Sequence, residues 1–335
     1  MLNRNRFLVR VLLGSLVLCT FAKAQEYVYT TNFPDANTAT LTGYTGTNND
    51  ISLPSSINGL TVTAIGDSAF RWKMNLTGVA IPDSVTNIGK GAFAHCGTLT
   101  NATFGANLVQ IGDRAFFLCR RLQNIAIPDS VTSIGEAAFR YCWSLTNVVF
   151  GTNLTQIGYS AFARCQELQS IVIPDNVSRI GATSFFGCSG LTNVVLGSGT
   201  TGIDDGAFSG CSQLAGIALP SGVTEIGAEA FASCGLTNVE ISSNVAAIGE
   251  GAFHSCTNLT GIEVDENNDF YCSLDGVLYD KTLTILVQYP AGKAGSFPVP
   301  TGVTNIAPHA FESCRELTEV TIPDSVAGIG LLAFN

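Results

Sequence analysis

The sequence is poor in charge and in the residues from which most catalytic sites are built. Asp, Glu, Lys and Arg make up 13% of the 335 residues, against 46% hydrophobic residues, which excludes a solvated, disordered chain. Only three histidines occur, His95, His254 and His309. None sits in a His-Glu-x-x-His phrase, and Gly-x-Ser-x-Gly and phosphate-loop phrases are missing too. No catalytic residue, metal ligand or cofactor is therefore assigned, and the chain is not expected to be an enzyme. Basic residues are also scarce, and no basic stripe exists, which argues against nucleic-acid partners. Past the first residues there is no run of about twenty apolar residues, so no transmembrane anchor is predicted.

What is present begins with a processing signal. Arg4, Arg6 and Arg10 precede the apolar run Val11 to Phe21, and Ala22-Lys23-Ala24 supplies a small-x-small cleavage pattern. Cleavage after Ala24 is predicted, with a secreted or cell-surface product beginning at Gln25. Lipidation at Cys19 is disfavoured because Leu18 before it is bulky. The remaining charge is uneven. Residues 25–179 hold 9 basic and 10 acidic residues, whereas 180–335 hold 3 and 16.

Phenylalanine reveals the organisation. Phe70, Phe93, Phe116, Phe139, Phe162, Phe185, Phe208 and Phe231 recur every 23 residues, Phe253 follows after 22, and Phe311 and Phe334 come later. Nearly all close an Ile-Gly-x-x-Ala-Phe phrase, and nine of the eleven cysteines sit three residues beyond such a phenylalanine. A fixed period in this range predicts a stacked solenoid. In residues 122–144, Leu122, Ile125 and Ile127 alternate as in a short strand with one buried face. Pro128-Asp129 turns the chain, Val131 and Ile134 point inward, and Gly135 is expected to permit a tight corner. Ala138, Phe139 and Cys142 close the coil with spacing that suits a 3₁₀ or short helical back wall. One coil cannot bury these side chains, but coils stacked at about 4.8 Å can.

The fold class predicted is thus a β-rich leucine-rich-repeat solenoid, a curved single array with one short parallel strand per coil. Residues 25–75 are expected to form a cap and first irregular coil, and 76–258 eight regular repeats. The period breaks over 259–293, where residues 275–287 look like a β-hairpin inserted within one coil. Residues 294–335 add two further repeats, the last truncated. No capping segment follows Asn335, which suggests a fragment or a covering neighbour. A doublet is also visible: Ile-Pro-Asp coils beginning at Leu76, Leu122 and Leu168 are interleaved with Phe-Gly-x-Asn-Leu coils at Leu99 and Leu145.

The phrase from Leu122 through Ile125, Ile127-Pro128-Asp129-Ser130-Val131 and Ile134-Gly135 to Ala138-Phe139 and Cys142 resembles the BspA-like leucine-rich repeat family. The stretch from Val264-Asp265-Glu266-Asn267-Asn268 through Gly276-Val277-Leu278-Tyr279 to Tyr289-Pro290-Ala291-Gly292-Lys293 resembles that family's longer variant coil. The resemblance spans nearly the whole mature chain. It implies a surface protein that binds matrix, host or cell-surface ligands. No motif residue of the family is itself a binding residue, so none carries over.

Other clusters have bland explanations. A column of cysteines along one axis cannot surround a metal, and its Cβ atoms would stay near 4.8 Å, outside disulfide geometry. Buried free thiols are therefore expected, with Cys272 the most exposed. The acidic turn Asp265-Glu266-Asn267-Asn268-Asp269 lacks the glycine and distal glutamate of a calcium loop. Asn75, Asn101, Asn153, Asn176 and Asn258 match the glycosylation pattern, but the repeat phrase generates such matches mechanically. One group stands out near the cysteine column of the early coils: Arg71, Trp72, Arg120, Arg121, Arg140, Tyr141, Trp143 and Arg164. Stacking would merge them into one aromatic and cationic patch, the composition enriched at binding hot spots. A monomeric, non-catalytic module for a protein or glycan ligand is the function expected. The alternative is a carbohydrate-binding or scaffolding component for extracellular enzymes.

Overall fold

The computed structural model describes residues 26–335. The predicted leader and its Ala24 cleavage site lie outside the described residues. A typical regular coil contributes not one strand but two. A three-residue strand such as Asn124–Ala126 forms a front sheet, and a two-residue strand such as Ser133–Ile134 forms a second parallel sheet. The front sheet runs seven strands to Asn193–Val195, with Asn101, Asn124, Asn147, Ser170 and Asn193 in register. The second sheet has twelve strands and keeps Ile88, Ile111, Ile134, Ile157, Ile180, Ile203, Ile226 and Ile248 in one ladder. All of these isoleucines except Ile203 belong to the Ile-Gly phrase, where no strand was expected. Two residues are too few to show alternation, so only stacking exposes the pairing.

The back wall also departs from expectation. Among the described residues there is no helix of any kind, and the Gly-x-x-Ala-Phe-x-x-Cys segment is a chain of turns. Its backbone groups bond to the neighbouring coil rather than along a helix. Phe116 N–H donates to Ala138 O at 2.7 Å and Phe139 N–H to Ala161 O at 2.7 Å. Gly135 is not in the left-handed region. It is glycine for lack of room: a Cβ there would stand 2.6 Å from Asp113 N and 2.7 Å from Gly112 C of the coil below. The doublet has a similar cause. A Cβ on Gly105, Gly151 or Gly197 would lie 2.3–2.5 Å from the carbonyl oxygen of Pro82, Pro128 or Pro174 in the preceding coil. The Asp beside each proline accepts the next coil's backbone N–H, as Asp129 does from Thr152 at 2.8 Å.

The core is a set of ladders. Phenylalanine rings from Phe70 to Phe253 are at most 1% exposed and stack at 4.9–5.6 Å. From Phe93 onward, the cysteine three residues after the ring donates its S–H to the phenylalanine carbonyl of the coil before, as Cys119 does to Phe93 O at 3.2 Å. The same carbonyl accepts the Cys96 backbone N–H at 3.2 Å, so both lone pairs are used. A small apolar residue with one weak donor is what this position needs. The ten described cysteines are unbridged, and those from Cys96 to Cys256 are buried. Burial pushes the Cys96 and Cys188 thiols up to about 12. Among the described cysteines, a thiol reagent at neutral pH should therefore modify Cys272 first, with the part-exposed Cys314 its competitor, until the fold is melted. Ladder cysteines recovered as disulfides between successive coils by mass spectrometry would contradict this.

Three irregularities punctuate the stack. Tyr27–Thr31 pairs antiparallel with Thr38–Tyr44 at the start of the second sheet, leaving no parallel edge open there. No strand forms around Ile217, where the repeat would place one. Ala215-Gly216 replaces the usual polar pair, the following coil is one residue short, and the front sheet restarts at Asn238–Ile241. In the irregular coil Val277–Asp280 pairs antiparallel with Ile285–Gln288, the predicted hairpin, but also with Tyr271–Leu274, which was not foreseen. Asn268 is fully buried: its amide donates to Ser242 O and Val245 O, and its oxygen accepts from Phe270 and Tyr271 N–H. That turn's polar atoms serve the chain itself. Two buried clusters meet at this coil, one ending with Leu259, Ile262 and Leu278, the other beginning with Val277 and Tyr279.

Candidate functional site

Each corner turn has a left-handed residue two positions after its phenylalanine. In five successive coils that residue is large: Trp72 (φ 64°), His95 (64°), Leu118 (61°), Tyr141 (64°) and Arg164 (65°). Later coils place Gly187, Gly210, Ser233, Ser255 and Ser313 in the same column. A non-glycine residue there costs about 1–2 kcal/mol, and branching or bulk adds to the strain. The early coils thus keep side chains where glycine would be easier.

Those side chains touch along the stack. Trp72 and His95 rings lie 3.7 Å apart at 17°. His95 meets Phe117 edge-on at 5.5 Å, and Phe117 meets Tyr141 edge-on at 5.7 Å. Arginines lie over several rings: Arg120 over Trp143 at 4.6 Å, Arg140 over Tyr141 at 5.0 Å, Arg164 over Phe186 at 4.7 Å and Arg71 beside Trp72 at 6.0 Å. Trp72, Met74, His95, Arg120, Arg121 and Trp143 line a groove of about 760 Å³, together with Gln166 and Glu167. Arg71, Arg140, Tyr141 and Arg164 do not line the groove.

The arginines of this corner are not neutralised by neighbouring carboxylates. Among the described residues, the ion pairs join Arg114 to Glu136, Arg179 to Asp204 and Glu225, and two histidines to Glu312. Arg71, Arg120, Arg121, Arg140 and Arg164 pair with no carboxylate. Arg140 donates to Tyr141 Oη at 3.3 Å, while its Nε is buried without a partner. Burial, then the charges of Arg71 and Arg120, lowers the His95 pKa below its ordinary value. At neutral pH His95 is therefore an uncharged ring stacked on Trp72.

Sequence reasoning passed over His95, Phe117, Leu118 and Phe186. Their signal was column position: His95 and Leu118 share the column of Trp72 and Tyr141, and Phe117 and Phe186 that of Arg71 and Arg140. His254 and His309 lie on either side of the irregular coil. Their rings are 5.1 Å apart, with Glu312 against both. Burial lowers the His254 pKa, with Glu312 opposing the shift.

The family described as BspA type leucine rich repeat region, in six copies, matches residues 63–192, 178–284 and 289–335. The chain belongs to the BspA-type leucine-rich repeat family. A leucine-rich cell surface protein from Faecalibacterium prausnitzii A2-165 is 31% identical over 92% of this chain and 72% of its own, with a TM-score of 0.58. The leucine-rich repeat protein of T. pallidum is 32% identical over 57% of this chain and 89% of its own, with a TM-score of 0.53. A leucine-rich repeat protein from Bacteroides ovatus ATCC 8483, 23% identical over 91% of this chain and 89% of its own, shares the fold with a TM-score of 0.65. No curated protein matches the chain. Among the described residues no helix is long and apolar enough to cross a membrane.

Proposed function

We propose that this BspA-type protein is an exported, non-catalytic recognition module. Its early-coil corner binds an acidic protein surface or an anionic glycan. The observation that carries the proposal is the run of five arginines without carboxylate partners, four of them set against aromatic rings, flanking a column of large left-handed residues. Stacked guanidinium groups are held in place yet keep their in-plane N–H donors free, the arrangement that suits carboxylate or sulfate oxygens. The indoles add contact area. The strongly acidic half beyond residue 180 would repel the same ligand and steer it to this corner.

The double variant Arg120→Ala, Trp143→Ala tests this on arrays of sulfated, carboxylated and neutral glycans and on a panel of matrix proteins. Binding by the parent chain should weaken with salt, because exposed charges are screened within about 8–10 Å. The double variant should lose roughly 10-fold or more in affinity with an unchanged circular dichroism spectrum. Retention of parental binding by a folded double variant would move attention to the front sheet. Selective binding of neutral glycans would favour a carbohydrate-binding scaffold instead.

A further inference from the structure

We infer that His254, His309 and Glu312 form a binding site for a divalent transition-metal ion, with zinc the best match. The site arises from a shortened coil. Elsewhere the isoleucine of the second sheet and the phenylalanine of the corner are five residues apart, as in Ile306 and Phe311. In the irregular coil Leu286 pairs with Ile306 and Tyr289 stacks on Phe311 at 5.2 Å, yet these two are only three residues apart. The shortfall removes the turn before the phenylalanine, the one in which His309 is left-handed (φ 61°) in the next coil. Gly292 N–H instead reaches back to Leu259 O at 2.8 Å. The corner turns on either side therefore meet directly across the gap. Ser255 Oγ lies 3.0 Å from Ser313 Oγ, and a Cβ on Gly251 would stand 3.3 Å from His309 Cβ.

His254 and His309 face each other in this gap, and Glu312 reaches both. Glu312 Oε2 is 3.5 Å from His254 Nδ1 and 2.5 Å from His309 Nδ1. One donor atom from each of the three residues falls within 4.8 Å of the others, and their side chains are 14–17% exposed. Four-coordinate zinc, with bonds of about 2.0–2.1 Å, keeps its donors about 3.3 Å apart. Small rotations reach that geometry, and the ion takes the place of the direct contact between His309 and Glu312. Two imidazoles and one carboxylate select zinc, nickel or copper over calcium and magnesium, which prefer oxygen alone. Three protein donors leave a fourth position to water. The surrounding half of the chain, with 16 acidic and 3 basic residues, concentrates cations there.

The ion would clip together the two buried clusters that meet at the irregular coil, where the ring ladder stops at Phe253 and resumes at Tyr289. The test is calorimetric titration of the untagged chain with zinc chloride near neutral pH, together with thermal unfolding with and without zinc. One ion per chain and a raised melting temperature are expected, with no competition from millimolar calcium or magnesium. His309→Gln and Glu312→Gln should each weaken binding more than about 100-fold, beyond the loss expected for an outer-shell partner. Cys272→Ser with Cys314→Ser should bind as the parent does. X-ray absorption of the zinc-loaded parent, which needs no variant to fold, should show nitrogen and oxygen neighbours. Sulfur neighbours, undiminished binding by the His309 or Glu312 variant, or no zinc uptake by the parent would each overturn the inference.

Discussion

Phe139→Ala is expected to lower the unfolding free energy by about 3–5 kcal/mol, measured by denaturant titration. The ring is fully buried and stacks at 5.2 Å on Phe116 below and 5.2 Å on Phe162 above, so its removal leaves two faces without contact. In an ordinary core the neighbours could relax into part of the hole. Here each neighbour is fixed by its own coil, and Phe116 and Phe139 N–H groups are tied to the next turn at 2.7 Å. Little collapse is possible, which places the cost toward the upper end. In a stacked array the loss falls on two interfaces between coils, so the transition should broaden as well as shift. Arg140→Ala, one residue along the chain, removes a partly exposed side chain whose contact is Tyr141. It should cost less than about 1 kcal/mol. Equal losses at the two positions would show that the ladder is not where the stability resides.

The difference between those neighbours explains why the sequence was so informative about fold. A repeat in register puts the same residue type in the same environment many times, so Phe139 is announced by seven other phenylalanines at the same spacing. The cysteine column was legible for the same reason, although its bond to the phenylalanine carbonyl was not. That bond crosses 26 residues and depends on where the preceding coil places its carbonyl. The second strand of each coil stayed hidden because Ser133-Ile134 carries no alternation. The helical expectation for the back wall failed because spacing within Ala138-Phe139 and Cys142 cannot distinguish a helix from successive turns bonded to another coil. The candidate corner was half legible. Arginine and tryptophan drew attention by type, while His95 and Phe117 required knowing that their columns touch. The His254, His309 and Glu312 group was illegible from position, because counting coils assumes that each coil is complete.

Gly135→Ala carries the second large effect, and it concerns space between coils rather than backbone freedom. Its φ lies outside the left-handed region, so alanine could adopt the local conformation without strain. The added methyl would nevertheless stand 2.6 Å from Asp113 N, 2.7 Å from Asp113 Oδ1 and 2.7 Å from Gly112 C. Two of those atoms are backbone, which can move only if coils separate. The third accepts the Glu136 N–H at 2.9 Å, a bond that joins the same two coils. Overpacking of this kind costs about 1–3 kcal/mol, and the loss of a bond between coils adds about 1 kcal/mol. Gly216→Ala is the matched control, since nothing lies within 4 Å of a Cβ there and its φ is also outside the left-handed region. By restricting the unfolded chain it should leave stability unchanged or raise it by up to about 1 kcal/mol. If melts show the two substitutions to be alike, the Ile-Gly glycine is not a spacer. The close approach that brings the second-sheet strands into register would then need another cause.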